Sequence, residues 1–111
     1  MNFLEYQELA FRTATRQGDL DKRRLVAGLG LTGEAGEVAE LIKKQIGHGH
    51  ELPPEKLAKE LGDTLWYVAC LATLYNLDLN QIAEANINKL RQRYPEGFRS
   101  QDSIERRDTK F

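Results

Sequence analysis

The sequence predicts an all-α fold, and three observations carry that prediction. Apolar residues recur at helical spacing in four segments of the 111-residue chain. No stretch alternates apolar and polar residues as a half-buried strand does. Two acidic pairs, Glu34/Glu37 and Glu60/Asp63, sit at i, i+3 spacing inside apolar periodic segments, so each pair shares one helical face. The length suits one domain. Charged residues make up 30% and net charge is −1, which fits a globular chain and leaves no field to attract nucleic acid or a membrane surface. No apolar run approaches the ~20 residues of a membrane span. Met1-Asn2-Phe3-Leu4-Glu5 lacks a signal-peptide core, and the lone Cys70 among apolar neighbours reads as a buried small hydrophobe, so a cytoplasmic location is expected.

Helix one is expected over Asn2 to Thr15, with Phe3, Tyr6 or Gln7, Ala10 and Ala14 on one side, ended by Gln17-Gly18-Asp19. Helix two is expected from Asp21 to Ile46, with Leu31, Ala35, Val38, Ile42 and Ile46 as its apolar stripe. Gly28, Gly30, Gly33 and Gly36 conflict with it locally, because each costs about 1 kcal/mol relative to Ala in a helix. They either permit close helix approach or break the helix near Gly28 to Gly33. Gly47-His48-Gly49-His50 reads as a loop. Pro53 and Pro54 suit the first turn of helix three, which runs to Tyr75 with Leu57, Leu61, Val68 and Leu71 inward. Asp78 or Asn80 caps helix four, which runs to Arg93 with Ala83, Ile87, Leu90 and Tyr94 inward and stops at Pro95-Glu96-Gly97. The helical domain thus covers residues 1–97, and residues 98–111 form a polar tail, an arm or partly disordered.

The acidic pairs carry the chemistry. Clustered carboxylates repel one another and are costly to bury unpaired. If helices two and three run antiparallel, Glu34, Glu37, Glu60 and Asp63 meet and can bracket one or two Mg²⁺ ions, which take oxygen ligands and bridge to phosphates. Glu40 is read instead as an ordinary partner of Lys43 and Lys44 at i+3 and i+4. Lys44 lies roughly 10 Å along the helix from Glu37. Asn86, Lys89 and Arg93 share a stripe on helix four, where cations could hold phosphates or simply complement the helix dipole. Trp66 and Tyr67 could stack a base, although aromatics on such helices more often serve the core. His48 and His50 read as an exposed loop. No Glu-x-x-His motif, phosphate loop or cysteine site is present.

The run Leu29-Gly30-Leu31-Thr32-Gly33-Glu34-Ala35-Gly36-Glu37-Val38-Ala39-Glu40-Leu41-Ile42-Lys43-Lys44 resembles the first metal motif of the MazG-like nucleoside triphosphate pyrophosphohydrolases. Glu60-Leu61-Gly62-Asp63-Thr64-Leu65-Trp66-Tyr67 resembles the second. The resemblance continues through Asn86, Lys89 and Arg93-Tyr94-Pro95-Glu96-Gly97-Phe98. It implies a four-helix bundle of the all-α NTP pyrophosphatase type, assembled as a dimer or dimer of dimers. It also implies Mg²⁺-dependent (or Mn²⁺-dependent) cleavage of a nucleoside or deoxynucleoside triphosphate between the α- and β-phosphates. Glu34, Glu37, Glu60 and Asp63 would be catalytic metal ligands, and Lys44, Tyr67, Asn86, Lys89 and Arg93 substrate contacts. Where some members carry a Glu before the first motif Glu, this chain has Gly33. Alternatives within the same fold are a phosphoribosyl-ATP or alarmone substrate, or a non-catalytic nucleotide-binding module.

Overall fold

The computed structural model describes residues 1–109. Helices α1 (Phe3–Phe11), α2 (Leu20–His48), α3 (Pro54–Leu74) and α4 (Leu79–Arg93) are followed by a short α5 (Ser100–Glu105) and a 3₁₀ turn, Arg107–Thr109. Among the described residues there is no strand, only an isolated bridge between Pro95 and Gly97. No helix among them is long and apolar enough to cross a membrane.

Local chemistry sets the helix ends. The side chains of Asn2, Asp19 and Asp78 accept hydrogen bonds from the backbone N–H groups of Glu5, Lys22 and Asn80, each at 2.8 Å, filling orphan donors of the first turns. Pro54 opens α3, where its missing N–H costs nothing. α1 stops at Phe11, earlier than the periodicity suggests, because the Thr13 hydroxyl donates to the Ala10 carbonyl at 2.7 Å and draws the chain into turns. α2 continues through all four glycines and takes in His48, ending where Gly49 adopts φ +72°. At the end of α3, Asn76 turns left-handed (φ +56°) and the Leu77 N–H donates to the Ala72 carbonyl at 2.7 Å. The tail is more structured than its polarity suggests. α5 and the 3₁₀ turn pack back on α4, and Arg93 clamps Asp108 through Nε and Nη2 at 2.7 and 2.8 Å. Lys110 and Phe111 lie outside the described residues.

Helices α2 and α3 are antiparallel, and three contacts fix their register. Arg24 donates to the Leu74 carbonyl from Nε and Nη2 (3.1 and 2.9 Å), Gly30 faces Tyr67, and Glu34 meets Glu60. The opposite face of α3 takes α1. There Trp66 Nε1 donates to Thr13 Oγ1 (2.8 Å), and the buried Gln7 donates to Thr73 Oγ1 and the Leu77 carbonyl. Gln7 Oε1 also accepts the Leu79 N–H at 2.9 Å, so one side chain ties α1 to the α3–α4 turn. The core is small: Ala10, Ala69 and Leu79 under Tyr6, Trp66 and Val68.

The expected apolar stripe of α2 requires correction. Leu31 and Val38 are half-buried, but Ala35, Ile42 and Ile46 are exposed, as are Leu61 of α3 and Ile87 of α4. The face of α2 against α3 is instead Ala27, Gly30, Leu31, Glu34, Val38 and Leu41. On the opposite side, positions 25, 29, 32, 35, 39, 42 and 46 form a second stripe, apolar but for Thr32 and exposed throughout. Its spacing of three and four residues is that of a helix–helix seam. A 29-residue α2 is also about 12 Å longer than a 21-residue α3.

Candidate metal centre and the adjoining cleft

The antiparallel register brings the two acidic pairs together. One carboxylate oxygen from each of Glu34, Glu37 and Glu60 lies within 4.8 Å of the other two. Glu34 and Glu60 are half-buried and Glu37 is exposed. Asp63 is exposed and stands outside that closest trio, but its charge reaches Glu34 and, on the other side, the Tyr6 hydroxyl. Glu34 is held up to about 7 from its ordinary 4.5. The first cause is a hydrogen bond with Glu60, then lost solvation, then the charges of Glu37, Glu60 and Asp63. Two carboxyl groups can hydrogen-bond only around a shared proton. Oε2 of Glu34 and Oε2 of Glu60 are both buried without a hydrogen-bond partner.

Those orphaned oxygens test whether the residues fit a metal ion, and they do. An all-carboxylate set suits a hard divalent cation such as Mg²⁺, whose ligand oxygens at ~2.1 Å stand ~3–4 Å apart, close to the spread seen here.

The other predicted contacts are distributed unevenly. Tyr67 is one turn beyond Asp63, half-buried and edge-on to Trp66, with ring centroids 4.9 Å apart. Lys44 is beside Glu40 (3.9 Å), which Lys43 approaches more closely at 3.1 Å, so Glu40 behaves as the salt-bridge partner its spacing suggests. The Lys43 hydrogen bond is the main cause that lowers the Glu40 carboxyl below the usual range. Asn86 and Lys89 are exposed on α4, whose main partners are α1, α5 and the 3₁₀ turn rather than the acidic seam. Arg93 also lies away from the acids, and Asp108 occupies two of its donors. His48 and His50 are exposed, with rings 6.2 Å apart, and among the described residues neither joins a metal-ligating group.

One feature escaped sequence reasoning. Next to the acids, where the end of α1 crosses α2 and α3, lies an apolar cavity of about 220 Å³. Trp66, Tyr67 and Cys70 line it from α3, Val26, Ala27 and Arg23 from α2, and Phe11 from α1. Burial pushes the Cys70 thiol up to about 11, so it is an inert wall. The signal in the sequence was Gly30, a glycine at helical spacing from Glu34 in a helix that has no need of flexibility there.

Comparison with known proteins gives this geometry a family. The MazG nucleotide pyrophosphohydrolase domain matches residues 24–98, which hold both acidic pairs. The chain belongs to that family. It is 40% identical over 73 residues to the Gene 37 protein of Mycobacterium phage L5, covering 62% of this chain and 64% of that protein. It is also 40% identical over 73 residues to dCTP pyrophosphatase 1 of Mus musculus, covering 60% of this chain and 43% of that enzyme. The matched stretch therefore spans less than two thirds of either relative. No solved structure matches the chain significantly.

Proposed function

We propose that this protein is a divalent-metal-dependent nucleoside triphosphate pyrophosphohydrolase that splits its substrate between the α- and β-phosphates. The products are a nucleoside monophosphate and pyrophosphate. The observation that carries the reading is the convergence of Glu34, Glu37 and Glu60 within 4.8 Å, with two orphaned buried oxygens, in a chain of this family. Mg²⁺ is the expected ion, with Mn²⁺ as a substitute of the same ligand preference. When bound, it supplies Lewis acidity and neutralises charge on the phosphates.

The chain's own residues do the rest. Glu34, Glu37, Glu60 and Asp63 hold the cation. A carboxylate oxygen of this group that the cation leaves free accepts the proton of the water that attacks phosphorus as the phosphoanhydride bond breaks. The apolar cleft beside Tyr67 receives the planar base and keeps it at a fixed distance from the acids. Among the described residues its one charged lining group, Arg23, donates and does not accept. Deoxynucleoside triphosphates are the substrate class to test first, given the mouse relative's name.

We further propose that the working unit is a homodimer or homotetramer, supported by the second apolar stripe of α2. Asn86 and Lys89, exposed and far from the acids of their own chain, reach substrate phosphates only in such an assembly, as does Lys44 near the C-terminal end of α2. Arg93 joins them only if Asp108 releases it. The lone buried thiol suits the reducing cytoplasm.

Pyrophosphate release from each NTP and dNTP, with Mg²⁺ and with chelator, tests this reading. Metal-dependent release with the monophosphate as co-product is expected, and Glu60→Gln should abolish it while helical circular dichroism persists. Full activity in Glu60→Gln would sink the site assignment. Failure on every triphosphate would move the reading to other nucleotides, and then to a binding module.

A further inference from the structure

Gly30 lies midway between the cleft and the acids on α2, and Tyr67 occupies the matching place on α3. A β-carbon built on Gly30 would overlap the Tyr67 ring, falling 2.5 Å from Cζ and 2.9 Å from Cδ1. Ordinary van der Waals contact begins near 3.4 Å. Even alanine at this position would therefore drive the ring aside by roughly 1 Å, because interiors do not yield continuously. The other glycines of the segment behave differently: a β-carbon on Gly28, Gly33 or Gly36 meets nothing within 4 Å. Only Gly30 lets an aromatic ring lie directly on the α2 backbone.

The seated ring is a shared wall. Tyr67 lines the apolar cleft and follows Asp63 by one turn, while Gly30 precedes Glu34 by one turn. Trp66, the neighbouring side chain, is held to the turn after α1 by its hydrogen bond to Thr13 and cannot replace Tyr67 here. At about 220 Å³ the cleft is smaller than the ~300 Å³ at which pockets for whole drug-sized ligands begin, and suits one ring system. The position of the Tyr67 ring therefore sets both the size of the cleft and its separation from the acids.

We propose that Gly30 is a positioning residue for base discrimination: its missing side chain seats Tyr67 against α2, and the seated ring decides which planar heteroaromatic base fits the cleft with its phosphates on the acids. This rests on the pyrophosphohydrolase reading above.

The test compares wild type with Gly30→Ala, and with Gly47→Ala as a helical control whose β-carbon meets open space. Two readouts are taken. The first is kcat and KM for pyrimidine and purine dNTPs with Mg²⁺. The second is fluorescence of Trp66, the sole tryptophan, titrated with nucleoside monophosphates. A pocket change of one methylene shifts discrimination about 10- to 200-fold. Gly30→Ala is expected to change the pyrimidine-to-purine ratio of kcat/KM at least ~10-fold, mostly through KM, and to alter the Trp66 titration. Gly47→Ala should do neither. A folded Gly30→Ala protein with the wild-type ratio and titration overturns the proposal. If Gly30→Ala does not fold, Tyr67→Leu, which keeps Gly30 and removes the ring, should show the same shift, and an unchanged ratio there overturns it equally. If wild type releases no pyrophosphate, the pyrophosphohydrolase reading fails separately. The Trp66 titrations then decide the ring placement alone, and identical curves for wild type and Gly30→Ala refute it.

Discussion

Replacing Leu29 by Asp should dissociate the proposed homodimer or homotetramer and destabilise the chain. The structure exposes 8126 Å², whereas a folded monomer of 12.7 kDa exposes about 6,200 Å². If the proposed assembly covers that excess, about 1,900 Å² per chain, its interface falls in the obligate size class rather than the transient one. The radius of gyration agrees: 17.1 Å against about 13 Å for a compact chain of this length. Leu29 lies in the second stripe of α2 and is 65% exposed. Full burial of a leucine contributes about 1.5–3 kcal/mol, so the exposed share is worth about 1–2 kcal/mol per chain. A two-fold interface counts it twice, giving ~2–4 kcal/mol, or roughly 30- to 700-fold in Kd before the cost of burying a carboxylate is added. Sedimentation velocity across a concentration series reads this directly. Wild type should run as a dimer or tetramer with a Tm that rises with protein concentration, and Leu29→Asp should shift to monomer with a lower Tm. A wild-type monomer with a cooperative, concentration-independent Tm would refute the reasoning, since the excess surface would then have no partner.

Two further outcomes follow from the site and the core. Glu34 is raised from 4.5 to about 7 in the folded chain. The metal-free folded state therefore keeps a proton that the unfolded state has already lost between those values. Stability of the metal-free protein should fall as pH rises from 4.5 through 7, and Mg²⁺ should raise Tm more around pH 8 than around pH 5, where protons compete for the same oxygens. Thermal melts with and without Mg²⁺ check both, and a Glu34→Gln protein with the same slope would place the titration elsewhere. Gln7→Leu should cost about 1–3 kcal/mol in urea denaturation by leaving the buried Leu79 N–H without an acceptor. No loss of stability would mean that another group takes that N–H.

Much of this arrangement could be read from single residues. Asp78, Pro54 and the two acidic pairs announce themselves because capping, proline geometry and i, i+3 spacing are local properties. Helix ends set by side-chain competition were harder, as at Thr13, where a hydroxyl takes a carbonyl that the helix would otherwise carry forward. The inward face of α2 was misjudged for a physical reason. Periodicity marks every apolar stripe alike, and α2 carries two, one toward α3 and one toward solvent. The inward one is also diluted by Gly30 and Glu34, one without a side chain and one charged, which add nothing to an apolar stripe. The convergence of Glu34 with Glu60 was legible once the helices were taken as antiparallel. The cleft was not, because it is made by three helices whose crossing no pattern along one helix encodes.

The fate of Arg93 shows how a residue's surroundings limit what its type can imply. An arginine near a helix C-terminus, in line with Asn86 and Lys89, reads as a phosphate ligand or a dipole partner. In the folded chain its guanidinium is mostly buried, and Nε and Nη2 meet the two oxygens of an almost fully buried Asp108. That bidentate geometry is the one a phosphate would use, so Asp108 and a phosphate compete for the same donors. The matched domain ends at residue 98, and Asp108 lies beyond it. Among the described residues no carboxylate is paired with Asn86 or Lys89 as Asp108 is with Arg93. A substrate role for Arg93 must therefore be reached by displacing a carboxylate, whereas one for Lys89 requires only that a second chain bring the acids to it.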